Sequence, residues 1–238
     1  MSSEELSLRH QARAAGGLYL LIIVLAGFAE GFVRSRMIVA GDPAATAAGI
    51  LAAPGLFRLG FLADLTAFLA DAALAVLLYL LLRPAGPALA LLALVFRLLA
   101  HPAIASINLL HHLAALRILE GASPLQGFSS LQREQLALFA LDLHGSGYLI
   151  AGAFFGVHCA LLAWLLVRSE RFPSILGFLL GLSAAGYLFE SCVGFAAPGL
   201  APIARLLVGV TAAVGEGALC IYLLIRGIRS SADPVPAG

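Results

Sequence analysis

GLFRLGFLADLTAFLADAALAVLLYLLL, residues 55–82, runs for 28 residues with only three charged side chains, Arg58, Asp64 and Asp71. About 20 mostly apolar residues at ~1.5 Å rise suffice to cross a bilayer core. The stretch therefore reads as a membrane-spanning helix. Its two carboxylates are seven residues apart, so they share one helix face. A bilayer tolerates such groups only where they face protein or a wet cavity, which marks them as candidate functional residues.

Working outward, the same reading recurs. Spans are expected at 15–33, 55–82, 87–118, 136–167, 174–196 and 203–228, with turn chemistry between them at Arg83-Pro84, Gly121, Pro173 and Pro198. The first follows Arg9 and Arg13 as a signal peptide would, but it lacks a small-residue cleavage site and reads as a retained span. Asp42-Pro43 is expected to cap a short surface helix, 44–52. The chain divides into an N-terminal segment, 1–14, a six-span domain, 15–229, and a tail, 230–238, expected to be disordered. The fold class is all-α, a six-helix transmembrane bundle. Of 238 residues 61% are hydrophobic and 11% charged, too little charge to coat a soluble domain. A net charge of +1 gives no reason to expect nucleic acid. Every basic residue is arginine, a usage that fits a GC-rich bacterial genome. Arg9, Arg13, Arg83, Arg168, Arg171, Arg226 and Arg229 fall on the side of the termini, against Arg34, Arg36, Arg117 and Arg133 opposite. That asymmetry places both termini in the cytoplasm, with the protein in the inner membrane. The three cysteines, in no CxxC pair, read as small buried apolar residues.

Polar residues share one face per helix. Arg97, His101, Asn108 and His112 follow steps of four, seven and four; His144, Tyr148 and His158 align on the fourth span, Tyr187 and Glu190 on the fifth, Arg205 and Glu216 on the sixth. Counting equal steps from the hairpin turns brings Asp71 level with Arg97, Glu190 with Arg205, and Asn108 with Asp142 and His144. Two layers are expected: an outer one of Glu30, Asp64, Asn108, Asp142, His144, Glu190 and Arg205, and a central-to-inner one of Asp71, Arg97, His101, His158 and Glu216. Seven unpaired charges at mid-bilayer would cost on the order of 20 kcal/mol, beyond the ~5–15 kcal/mol stability of a typical fold. Five acids, Asp64, Asp71, Asp142, Glu190 and Glu216, face two clear bases, Arg97 and Arg205, with Arg58 as a third candidate. The surplus acids are expected to carry a proton or to meet a protonated histidine or a bound cation. Plainer roles stand beside these. Asp71 with Arg97 and Glu190 with Arg205 can be structural ion pairs. Asn108 can bond helix to helix, Tyr148 and Tyr187 can be packing residues with a satisfied hydroxyl, and Glu30 can snorkel. His111 and His112, near a helix end, are expected to be interfacial and solvated.

No hydrolase, nucleotide or zinc-protease motif occurs. Asp142 and His144 diverge on a helix and could share one ion only if it opened at Gly145–Gly147. No metal site is assigned and the cofactor stays unknown. His144 and His158, about 21 Å apart along a helix, would suit stacked haems, but no second helix offers matching spacing. The stretches GLFRLGFLADL (55–65), LDLHGSGYLIAGAFFGVHC (141–159) and RSERFPSILGFLLGLSAAGYL (168–188) resemble a bacterial multi-pass family, domain of unknown function 4386, over nearly the whole chain. The resemblance implies a multi-pass fold and no activity. Its pattern matches at Arg58, Asp64, Asp71, Arg97, Asn108, Asp142, His144, Gly147, His158 and Tyr187, while His101, His111 and His112 are peculiar to this chain.

Three functions fit. One is an intramembrane acid–base enzyme on a lipophilic or cationic-headed substrate, with Asp142, His144, Asp64 and Glu190 catalytic and Arg58, Asp71, Arg97, Asn108, His158, Tyr187, Arg205 and Glu216 binding. The second is a small proton- or cation-coupled transporter, channel or binding module. The third is a structural subunit held by ion-paired helices; haem binding is a minor fourth. The expected partners are the lipid bilayer and a lipophilic small molecule or cation. The enzyme predicts acid and base converging on one substrate atom, the transporter a polar path to both sides, and the scaffold satisfied pairs without a cavity.

Overall fold

The computed structural model describes residues 3–122 and 125–229, and among these every regular element is helical. Six helices are long and apolar enough to cross a membrane: α1 (Glu5–Met37), α3 (Pro54–Ala85), α4 (Pro87–Leu119), α5 (Ser130–Arg168), α6 (Ser174–Ala196) and α7 (Pro198–Ile225). The short helix α2 (Pro43–Ala52) joins the first two. Asp42 caps it as expected, its side chain accepting from the Ala45 N–H at 2.9 Å with Pro43 in the first turn. The tail 230–238 lies outside the described residues.

Each span packs against the next, and α7 packs back on α1, closing a ring. Small residues permit this. A Cβ on Gly177 would lie 2.6 Å from the Ala163 carbonyl, and one on Gly215 2.5 Å from the Leu179 carbonyl. Large apolar side chains such as Leu69, Ile107 and Leu206 point outward, as lipid-facing residues do. Cys159 and Cys220 are buried, while Cys192 is exposed, against the expectation for it.

Helices α1 and α5 run longer than the spacing predicts and α3 gains three residues at its C-terminal end, while α4 ends within one residue of the expected bound. A Ser129–Gln132 capping box starts α5 six residues early, giving 39 residues. In α1 and α4 the helix widens without ending: Phe28–Arg34 and Leu99–Ala105 are π-helical. Pro102 explains the second, since it cannot supply an N–H and a wider turn relieves its clash with the preceding one. The opening at Gly145–Gly147 that Asp142 and His144 would need to share an ion does not occur; α5 is continuous. Both π segments deliver polar side chains to the interior, Arg34 from the first and His101 from the second.

Candidate functional site

A central network occupies mid-bundle. Asp71 on α3 accepts from Arg97 Nε at 2.9 Å and Nη2 at 2.6 Å, both into Oδ1. Its Oδ2 lies 3.1 Å from His101 Nδ1. Arg97 Nη1 donates to His158 Nε2 at 2.9 Å, so His158 holds its proton on Nδ1 and donates it to the Ala93 carbonyl at 2.8 Å. Tyr19 and Phe155 present ring faces 5.1 and 5.2 Å from the guanidinium carbon. Asp71, Arg97 and His158 are at most 1% exposed. Beside them Glu216 on α7 accepts from Tyr19 at 2.9 Å and Tyr187 at 2.6 Å. The expected pairing of Asp71 with Arg97 is present, and His158 Nε2, spent on Arg97, is not free to bind a haem.

A second cluster lies toward the end opposite the termini. Arg34, buried, donates from Nε to Glu30 at 2.6 Å and from Nη1 to Asp64 at 2.6 Å. Tyr148 adds its hydroxyl to the same Asp64 oxygen at 3.3 Å. Glu30 reaches outward with its side chain 71% exposed. One turn from Tyr148, His144 is clamped to α4: its Nδ1 lies 3.1 Å from the Asn108 carbonyl, while Asn108 Nδ2 donates to the His144 carbonyl at 2.7 Å. Gly147 makes room for that clamp, because a Cβ there would fall 2.0 Å from Asn108 Oδ1. His112 stacks on Phe57 with centroids 3.8 Å apart, and its Nε2 lies 3.0 Å from the Phe57 carbonyl. The His112 and His144 rings meet edge to face at 5.6 Å, and Tyr148 stands edge-on to His144 at 4.9 Å.

Hydrogen-bond logic fixes both tautomers. A backbone carbonyl only accepts, so His144 carries its proton on Nδ1 and His112 on Nε2. That leaves His144 Nε2 and His112 Nδ1 as bare lone pairs, and both are buried with no hydrogen-bond partner. Nearby, two carboxylates, Glu30 and Asp64, outweigh one guanidinium, Arg34, by one negative charge. Each bare nitrogen can accept a hydrogen bond from a donor. The central network, by contrast, has its donors and acceptors matched.

Several expected site residues lie elsewhere. Asp142 is exposed, because two residues from His144 on an unbroken helix its side chain points to the opposite face; it does not converge on His144. Arg205 is exposed and Glu190 half-buried, and no ion pair within 4 Å joins them. The face shared by Arg205 and Glu216 splits accordingly: Glu216 turns to two tyrosines and Arg205 to the outside. Arg58 stays at the rim in an ion pair with Glu120, side chains 51% and 39% exposed. His112 is buried and not solvated, since its ring packs between helices, stacked on Phe57 of α3 and edge to face with His144 of α5. Arg34, read as a loop charge, is the base that Asp64 needed; its four-residue spacing from Glu30 was the available signal. Tyr19 was also missed, a lone phenol in an apolar run.

The family profile described as "Domain of unknown function (DUF4386)" matches residues 14–227. No curated protein and no solved structure matches the chain. The chain belongs to the DUF4386 family, as its sequence resemblance implied.

Proposed function

We propose that in this member of the family the cluster of Glu30, Arg34, Asp64, His112, His144 and Tyr148 is an acid–base site for a lipophilic molecule with a protonated, ammonium-like head. The observation that carries this reading is the pair of buried, bare imidazole nitrogens beside the Glu30–Arg34–Asp64 cluster, which Tyr148 joins to His144. An ammonium N–H would satisfy a lone pair that otherwise costs about 1–3 kcal/mol to leave unmade. His144 Nε2 would take the proton, Asn108 would hold the ring, and Asp64 with Glu30 would balance the charge. Asp71, Arg97 and His158 serve as scaffold. The arginine asymmetry supports both termini in the cytoplasm, which puts the site in the outer half of a bacterial inner membrane.

The test is thermal unfolding of the detergent-solubilised chain with dodecylammonium, dodecyltrimethylammonium or dodecanol as probe. Dodecylammonium should raise the midpoint by several degrees, and His144→Phe and His112→Phe should each abolish the rise. An equal rise with the trimethyl probe, which has no N–H, or no rise at all, overturns the reading.

A second reading, proton or cation transfer through the bundle, draws on the spacing of Asp64 and Asp71, two turns apart on α3, with a π-helical segment supplying a partner to each. It predicts pH-driven proton flux in proteoliposomes that Asp71→Asn stops.

A further inference from the structure

At the end of the bundle that carries the termini, Arg9, Arg13, Arg226 and Arg229 surround an open pocket of about 400 Å³, completed by Pro173, Tyr222, Ile225 and Ile228. None of the four arginines takes part in an ion pair among the described residues. We infer that this pocket binds the phosphate-bearing headgroup of an anionic lipid.

The geometry is built and not accidental. Arg9 and Arg13 are four residues apart on α1 and so face the same way. Gly227, at φ +76°, turns the chain back after α7, a conformation that side chains with a Cβ resist. A Cβ there would lie 3.5 Å from the Arg9 carbonyl, so the turn packs on α1. The Arg229 N–H donates to the Arg171 carbonyl at 2.9 Å, pinning the far wall to the α5–α6 connection. Four like charges lining one space attract an anion. Guanidinium forks bind phosphate oxygens in pairs, more selectively than ammonium groups do. The volume lies within the range of ligand pockets and the charge suits two phosphates. The surroundings specify a lipid: the pocket opens where apolar spans end, and Ile225, 65% exposed, offers a surface for an acyl chain.

The full chain, purified in a neutral detergent, is offered tetraoleoyl cardiolipin, dioleoylphosphatidylcholine or inorganic pyrophosphate. Binding is read by native mass spectrometry and by the unfolding midpoint. Cardiolipin should be retained at one per chain and raise the midpoint; phosphatidylcholine should do neither. The double variant Arg9→Gln/Arg226→Gln should lower cardiolipin retention at least tenfold, while Arg36→Gln and Arg117→Gln, at the other end, leave it unchanged. Retention by the double variant equal to wild type, equal retention of phosphatidylcholine, or a pyrophosphate effect matching cardiolipin's would overturn the inference; the last would assign the phosphate chemistry to a soluble anion. Because the double variant leaves the ammonium-probe site untouched, failure here is separable from failure there.

Discussion

Asp71→Leu should be among the most destabilising single substitutions in this protein. It strips Arg97 of two charge-assisted bonds, at 2.9 and 2.6 Å, and leaves the guanidinium with His158 Nε2 and two ring faces. A buried charge without its partner costs about 3–5 kcal/mol, and His101 Nδ1 loses its acceptor for about 1 kcal/mol more. Arg97→Met alone strands the Asp71 carboxylate at a similar cost of about 3–5 kcal/mol. The double variant removes both charges. It leaves His158 Nε2 and His101 Nδ1 without these partners, about 1–3 kcal/mol in sum, offset by two ions that no longer need desolvation. The double variant should therefore lie within about 2 kcal/mol of wild type, giving a coupling of at least about 5 kcal/mol. Reversible unfolding in mixed micelles, followed by circular dichroism on all four chains, measures it. A loss below about 1 kcal/mol for Asp71→Leu, or a double variant equal to the sum of the singles, would refute the reasoning.

Other outcomes follow from the same bonds. Arg34→Met should cost about 3–5 kcal/mol by stranding Asp64, and adding Asp64→Asn should recover part of it. Asp142→Ala, on the exposed face, should stay within about 0.5 kcal/mol in the same unfolding assay. Gly147→Ala should cost about 1–3 kcal/mol, because its methyl would overlap Asn108 and break the clamp on His144. Glu216→Leu should cost about 2–4 kcal/mol by leaving two tyrosine hydroxyls without an acceptor, and Tyr19→Phe/Tyr187→Phe in that background should restore most of it.

The membrane bundle was legible because length and hydropathy are local properties, and Asp71 with Arg97 because a tight hairpin converts sequence distance into depth. Asn108 with His144 followed in the same way. Charge counting failed for reasons that lie between helices. Asp64 seemed to lack a base because Arg34 falls where a regular 20-residue span would already have ended; a π-helical turn keeps it inside. Glu216 seemed unpaired because its partners, Tyr19 and Tyr187, carry no charge to count. Asp142 entered the acid tally but turns away from the interior. With those three settled, most of the apparent acid excess is accounted for. The two bare imidazoles could not be read at all, since tautomers depend on carbonyls contributed by other helices, those of Phe57 and Asn108.

Histidine side-chain ¹⁵N spectra of the full chain in micelles, assigned by His144→Phe and His112→Phe, test the acceptor site most directly. A proton on Nδ1 of His144 and on Nε2 of His112 is predicted, with both bare-nitrogen resonances moving on addition of dodecylammonium while those of His158 stay fixed. A proton already on either bare nitrogen, or movement at His158 in place of these two, would contradict it.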